Sequence, residues 1–296
     1  MKYIFLINRF SLKKNTEKMA EVIKKVCKRR KIDFEVMINN EKFSTEEIME
    51  RFNNTKHMIF AIGGDGSMNR VLNAIIKTNN IFSYIPYGTG NDFDRTAREI
   101  LEPGENDIDI IRINDRYFMN VACFGIDADI ANKEDDVVHN SIIPKSQRYN
   151  AAIVAHFIKF QPKKFKLKIG REEEEGLYST ITVCNGRYYG SGFHINPSGL
   201  LNDHLMDTYI IDNMHRSSII KYILKMKKGK HENMFKVKHV QCDHLVIESE
   251  IPIKANLDGE VLEDTRFDMK VIKDGFTVYY DPELIKDIQE GMKNAL

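Results

Sequence analysis

Short apolar runs alternate with segments of helical periodicity over the first hundred residues of the chain. Apolar runs at 3–7, 34–38 and 58–62 predict strands, and residues 16–30 and 44–51 between them predict helices. This βαβαβ alternation is typical of a parallel, doubly wound α/β sheet covered by helices. In such a sheet, ligands bind in the loops that follow the carboxyl ends of the strands.

The pattern changes near residue 109, where strand-like runs become frequent. They lie at 110–113, 117–123, 165–169, 178–184, 207–211, 235–240 and 245–248. Helical patterns at 147–160 and 217–228 interrupt them, and a last hairpin is predicted to turn at residues 273–275. These features predict a mainly antiparallel β-sandwich domain.

The two patterns together predict an α/β plus β fold in two domains. We expect the first domain at 1–108 and the second at 109–280. A closing helix at 282–293, within the segment 281–296, has a proline at its start and is expected to pack back on the first domain.

Composition excludes several classes of protein. The net charge of +1 argues against a surface built to coat nucleic acid. The four cysteines are widely spaced without a Cys-x-x-Cys pair, which predicts reduced thiols rather than a zinc site or a disulfide framework.

Apolar runs also bear on the cellular location. The run at 3–7 is too short for the core of a signal peptide. No stretch reaches the roughly 18–20 apolar residues that span a bilayer. We therefore expect a cytoplasmic protein whose contact with a membrane is peripheral.

A glycine-rich loop follows the predicted strand at 58–62. It consists of Gly63, Gly64, Asp65, Gly66 and Ser67, and a helical pattern follows it. Glycines let backbone amides approach an anion closely, and the start of a helix adds its positive pole. The loop predicts a phosphate site, although a strand-to-helix turn without a ligand is the alternative.

A second glycine-rich loop follows the strand-like run at 82–85. It contains Gly88, Thr89, Gly90, Asn91 and Asp92. Alone it is typical of a structural turn, but two such loops on adjacent strand ends favour a shared ligand.

Near the end of the chain, Asp258, Gly259 and Glu260 place two carboxylates beside a glycine. In an extended segment both carboxylates would point to one side, which suits proton transfer. The alternative is a polar hairpin turn.

Taken together, the motifs at 63–67, 88–93 and 258–260 resemble the diacylglycerol kinase catalytic family, which includes bacterial lipid kinases and sphingosine kinases. The resemblance extends to Asp109 and to the segments 117–122 and 196–207. It implies a two-domain kinase that holds ATP on the first domain while the acceptor lipid reaches the site from the second.

The resemblance also implies roles for single residues. Asp109 matches a carboxylate that reaches the catalytic Mg²⁺, and Asp258 matches a general base with Glu260 beside it. Asp203 and Asp207 match a region that binds a second, structural Mg²⁺ in some bacterial members. The nucleotide-binding positions implied are Asn8, Gly63, Gly64, Asp65, Gly66, Ser67, Gly88, Thr89, Gly90, Asn91 and Asp92.

Some positions depart from the family pattern. Asn8 is retained from an Asn-Pro-x-Ser-Gly loop whose other residues are absent, so Arg9, Lys13 and Lys14 stay open as phosphate contacts. His204 stands where the family has glycine, which puts the structural metal site in question.

Two segments are rich in basic residues. Residues 216–240 hold eight lysines or arginines and one acid, Glu232, with apolar residues at helical spacing. A helix packed on its sheet is the favoured interpretation, and a membrane-surface helix is the alternative. Residues 145–168 are a second candidate surface, whereas 171–176 are predicted to be a solvated hairpin end.

The resulting hypothesis is an ATP- and Mg²⁺-dependent lipid kinase that converts diacylglycerol to phosphatidic acid at a membrane surface. An NAD kinase, another small-molecule kinase of the phosphofructokinase type, and a non-catalytic nucleotide- or lipid-binding protein on a degenerate kinase scaffold are the alternatives. No nucleic-acid partner is expected, and a homodimer stays open.

Overall fold

The structure is a computed structural model that describes residues 1–12, 15–39, 47, 51–52, 55–88, 90–125 and 162–295. The chain forms two compact units. The first comprises residues 1–110 and 273–296, and the second comprises residues 111–272. The segment 273–280, which the sequence analysis assigned to the second domain, therefore lies in the first unit. The predicted helices at 44–51 and 147–160 fall wholly or mostly outside the described residues.

Helices and strands follow one another in the order that the chain pattern predicts. The helices are α1 Arg9–Leu12, α2 Thr16–Arg30, α3 Asp65–Ile75, α4 Asp92–Ile100, α5 Arg216–Met226 and α6 Pro282–Ala295. The strands are β1 Tyr3–Asn8, β2 Phe34–Asn39, β3 Met58–Gly63, β4 Ile81–Pro86, β5 Gly104–Ile113, β6 Arg116–Phe118, β7 Val121–Gly125, β8 Lys163–Ile169, β9 Glu172–Cys184, β10 Tyr188–Tyr189, β11 Phe193–His194, β12 Met206–Asp212, β13 Val237–Cys242, β14 His244–Leu257 and β15 Glu260–Tyr280.

A parallel sheet with strand order β2-β1-β3-β4 forms the centre of the first unit. Every residue of β3 and of β4 is buried. Strands buried on both faces read as continuous apolar runs, and this is why the sequence pattern identified them. The predicted parallel sheet is confirmed.

The carboxy-terminal helix α6 packs on α2 within the first unit. Arg29 and Arg30 both donate to Oδ2 of Asp287, at 2.7 Å and 2.8 Å. The helices also approach closely at Gly291, where a Cβ atom would lie 2.6 Å from Cγ1 of Val22. The chain end is therefore part of the unit that contains the parallel sheet.

The second unit is built from antiparallel strand pairs. Strand β9 pairs with β7, β8 and β12, and β14 pairs with β7, β8 and β15. Residues of β12 alternate between two apolar clusters: Met206 and Ile210 lie in one, and Tyr209 and Ile211 in the other. The second cluster also contains the inner face of α5. The predicted antiparallel character is confirmed.

Three local predictions are corrected by the structure. The run 117–123 is two strands, β6 and β7, because the amides of Met119 and Asn120 between them donate to the carboxylate of Asp258. The strand β9 begins at Glu172, so most of 171–176 is strand rather than hairpin end. The predicted turn at 273–275 lies inside β15, and the hairpin turns at residues 258–259 instead.

Among the described helices, none has the length and apolar character to span a bilayer.

Candidate active site

The first glycine-rich loop connects β3 to α3. Gly64 is the residue before the helix, and its carbonyl oxygen accepts from the amides of Ser67 and Met68 at 3.0 Å and 3.2 Å. The first amides of a helix lack partners within the helix, and they carry the positive end of its dipole. The start of α3 therefore offers the electrostatics that a phosphate needs.

Asp65 joins this loop to the second glycine-rich loop. Its carboxylate accepts from the amide of Asp92 at 3.0 Å and from the amide of Phe93 at 3.1 Å. Both amides belong to the first turn of α4. Burial raises the pKa of Asp65 above its ordinary value, and the two amides oppose that shift. In this structure Asp65 holds the two loops together.

The two loops also touch through their glycines. A Cβ atom on Gly88 would lie 2.8 Å from Cα of Gly64, so only glycine permits the approach. Asn91 has a φ of 52° and donates from Nδ2 to the carbonyl oxygen of Gly88 at 3.0 Å. Its Oδ1 is buried and has no hydrogen-bond partner among the described residues. A bound nucleotide has amino and hydroxyl donors that fit this acceptor.

Other predicted nucleotide positions lie around these loops or outside the description. Asn8 ends β1, which neighbours β3, and it is buried. Arg9 forms an ion pair with Glu17 at 3.3 Å. Thr89, Lys13 and Lys14 lie outside the described residues.

Asp109 lies in β5 and is fully buried. Its Oδ1 accepts from the amide of Asp274 at 2.9 Å. Carboxylate oxygen is the ligand type that Mg²⁺ prefers, directly or through water. The residue present is therefore chemically suited to the metal role that the family resemblance implies.

Asp258 organises a segment of the second unit. Its carboxylate accepts from three consecutive amides, those of Met119 at 2.9 Å, Asn120 at 3.2 Å and Val121 at 2.7 Å. The Asp258 amide donates in return to the carbonyl oxygen of Val121 at 3.1 Å. These bonds explain why the backbone leaves the strand path between β6 and β7.

The Asp258 motif is itself a tight hairpin turn. Leu257 of β14 pairs with Glu260 of β15, which leaves Asp258 and Gly259 as the two turn residues. Their φ angles are 50° and 96°, the combination that favours Asp-Gly in such turns. Asp258 is 4% exposed, whereas Glu260 is partly exposed. The two carboxylates thus do not share one environment, contrary to the expectation for an extended segment.

Sequence reasoning did not identify two asparagines that hold the same segment. Asn185 donates from Nδ2 to the carbonyl oxygen of Met119 at 3.0 Å, and Asn120 donates to the carbonyl oxygen of Tyr188 at 2.9 Å. The Oδ1 atom of Asn120 is buried and without a hydrogen-bond partner in the described part of the chain. The Asn185-Gly186 pair directly after a buried strand was the available signal.

The residues predicted for a structural Mg²⁺ are engaged by other groups. Asp207 is bonded through Oδ1 to Nε2 of His239 at 2.6 Å and accepts at Oδ2 from Asn196 at 2.9 Å. Asp203 accepts from the amide of Leu205 at 3.1 Å. His204 has a φ of 65°, the conformation for which glycine is favoured. Both oxygens of Asp207 are thus already hydrogen-bonded, and the structural Mg²⁺ role of Asp203 and Asp207 stays a prediction.

Comparison with known proteins agrees with the two-unit organisation. A family model described as the diacylglycerol kinase catalytic domain matches residues 2–118. A second, described as the YegS C-terminal NAD kinase beta sandwich-like domain, matches residues 120–279. The chain therefore combines both parts in the order that the sequence motifs indicated.

Individual relatives give the same result. A protein of Alcanivorax borkumensis named "Probable lipid kinase YegS-like" is 26% identical over 248 residues, 78% of this chain and 81% of that protein. A diacylglycerol kinase of Mycobacterium tuberculosis is 26% identical over 230 residues, 69% of this chain and 72% of its own. A crystal structure of a "putative diacylglycerol kinase" from Bacillus anthracis superposes with a TM-score of 0.74, the match covers 96% of each chain, and the two sequences are 18% identical. At that identity the likeness shows the fold.

Proposed function

The chain belongs to the diacylglycerol kinase family of lipid kinases, and from this premise we propose that it transfers the γ-phosphate of ATP to diacylglycerol, forming phosphatidic acid. The observation that carries the proposal is the Asp258-Gly259-Glu260 turn, anchored by three amides and presenting a second, partly exposed carboxylate. Phosphoryl transfer needs positioning, charge neutralisation and an acceptor for the hydroxyl proton.

The first unit supplies the nucleotide site in this proposal. The amides at the start of α3 donate hydrogen bonds to phosphate oxygens, and Oδ1 of Asn91 accepts a hydrogen bond from the nucleotide. Asp65 keeps the two loops in register. Asp109 would hold Mg²⁺, and the bound ion would supply positive charge against the phosphates.

The second unit supplies the proton acceptor. The acceptor hydroxyl oxygen forms a bond to the γ-phosphorus, the bond from that phosphorus to the β–γ bridging oxygen breaks, and ADP leaves with the electron pair. The hydroxyl proton passes to a carboxylate. Because the Asp258 oxygens are engaged by three amides, we assign the proton to Glu260 and a positioning role to Asp258. This departs from the order of roles that the family resemblance implied.

The experiment is transfer of labelled γ-phosphate from ATP to diacylglycerol, sphingosine, other lipid alcohols or NAD. Wild-type protein is expected to label diacylglycerol. Glu260→Gln is expected to lower turnover by about 10²–10⁴-fold, the range for removal of a general base, and to flatten the acid limb of the pH–rate profile. Its free energy of unfolding should change by less than about 0.5 kcal/mol, because Glu260 is not fully buried.

Asp258→Asn is the matched comparison, since Asn tolerates the left-handed backbone at this turn. It should lower turnover while retaining the acid limb of the profile. A labelled NAD product would favour the NAD kinase alternative. The match of residues 120–279 to an NAD kinase beta sandwich-like domain is the reason for testing it. ATP binding without any labelled acceptor would instead favour the non-catalytic alternative.

A further inference from the structure

The segment 221–235, which begins within α5 and continues beyond its end, carries lysines with no ion-pair partner among the described residues. Lys221, Lys228 and Lys230 are exposed, and Lys225 is partly exposed. Among the described residues, these four lysines form no salt bridge. No acidic side chain among the described residues therefore neutralises their positive charge.

The single acid of the same segment does not offset this charge. Glu232 accepts from the hydroxyl of Tyr209 at 2.7 Å, and Tyr209 is fully buried. The carboxylate is thus turned toward the interior of the unit. The exposed charged side chains of this segment that remain are basic.

Two large apolar side chains of the same segment are exposed. Phe235 is 88% exposed and Leu224 is 62% exposed. Their neighbours are packed: Tyr222 and Met226 of α5 are buried, and Met234 contacts the same apolar cluster. Phe235 and Leu224 are therefore not needed to hold the segment in place.

Three lysines of strand β8, in the same unit, differ because each of them forms an ion pair with a glutamate. Lys164 bonds Glu175 at 2.8 Å, and Lys166 and Lys168 bond Glu173 at 3.1 Å and 2.6 Å. The segment near α5 differs from these lysines of β8, because its lysines have no ion-pair partner among the described residues and two large apolar side chains beside them in the chain are exposed.

We propose that the surface formed by Lys221, Leu224, Lys228, Lys230 and Phe235 docks on an anionic phospholipid bilayer. The lysines approach the lipid headgroups, and the two apolar side chains enter the boundary between headgroups and acyl chains. The proposal rests on the lipid kinase function for its choice of partner, because a diacylglycerol acceptor resides in a membrane.

Binding is tested by sedimentation of the full chain with vesicles of phosphatidylcholine alone or mixed with phosphatidylglycerol. Wild type should bind the mixed vesicles and release them as salt is raised. A variant with Lys221→Gln, Lys228→Gln and Lys230→Gln should bind on the order of a hundredfold more weakly, since each lysine near such a surface contributes about fivefold. Equal binding by this variant and wild type would overturn the proposal.

The matched control replaces three lysines of β8, with Lys164→Gln, Lys166→Gln and Lys168→Gln. Because glutamates already neutralise these lysines, vesicle affinity should change by less than about threefold. An equal loss in both triple variants would mean that only total charge matters, and the proposed surface would be rejected.

Insertion of position 235 has its own reporter, because the chain contains no tryptophan. In Phe235→Trp, indole emission should move to shorter wavelength on addition of mixed vesicles. Ile251→Trp is the control at another apolar side chain, which is 68% exposed. An unmoved signal at 235, or the same movement at both positions, would contradict docking through this surface.

Two further outcomes separate the partner from the reaction. If Phe235→Ser dissociates a wild-type dimer and leaves vesicle binding unchanged, the surface joins two copies of the chain and the proposal fails. Transfer to a water-soluble short-chain diacylglycerol reports the reaction independently of docking. Vesicle binding without any transfer would support docking and refute the kinase function, whereas transfer without vesicle binding would refute docking alone.

Discussion

The glycine loops of the first unit and the hairpin turn of the second each depend on one aspartate. Asp65 receives two consecutive amides from the start of α4, and Asp258 receives three from the segment between β6 and β7. Both carboxylates hold distant backbone in place.

The difference lies in how well hydrogen bonds compensate the desolvation of each carboxylate. Burial outweighs the two amides at Asp65 and raises its pKa, so its ionised form carries a net cost. Asp258 has one amide more, and its own amide donates back to Val121. We therefore expect the second unit to depend more strongly on its aspartate than the first.

The largest expected effect tests that ranking directly. Asp258→Asn should lower the free energy of unfolding by about 3 kcal/mol, because the amide nitrogen introduced would face a backbone donor and the charge that binds three amides is lost. Chemical denaturation followed by circular dichroism measures it. A loss smaller than that of Asp65→Asn would break the comparison.

Gly88→Ala tests whether close contact of the two loops matters as much as their aspartate. The added Cβ meets backbone atoms of Gly64, so the loops must separate, with a cost of about 2 kcal/mol and weaker ATP binding. Calorimetric titration with ATP and thermal unfolding measure the two effects. Lys77→Ala, at an exposed site in the same unit, is the control. Unchanged ATP affinity would mean that the loops do not bind the nucleotide.

Asp65→Asn should cost less, about 1 kcal/mol at neutral pH. One amide of α4 loses its acceptor, but the cost of an ionised, partly buried carboxylate also disappears. Denaturation at fixed pH gives the value. A loss above that of Asp258→Asn would show that the number of amides does not set the ranking.

The smallest effect is the pH dependence of that same substitution. A carboxyl whose pKa is raised on folding contributes stability that is fully present below its ordinary value and is lost as pH rises through the raised value. As the pH falls from neutral to roughly pH 4, the free energy of unfolding of wild type should therefore increase relative to that of Asp65→Asn. A constant difference over that range would exclude a raised pKa.

Much of the fold followed from local patterns. The strands of the parallel sheet were located because both of their faces are buried, and α2 was predicted at 16–30, where the structure has it. Several chemical motifs were also visible, because glycines and carboxylates recur together at the ends of predicted strands. The family assignment rested on their order and spacing.

The partners of the site residues were decided only by the tertiary structure. Asp258 and Met119 are 139 positions apart, and no periodicity connects them. The same holds for the bond between His239 and Asp207 and for the inward turn of Glu232. Sequence by itself determined which groups are present and which segments form strands and helices. Which group meets which depends on long-range packing, and that packing separated the positioning carboxylate from the one assigned to accept a proton.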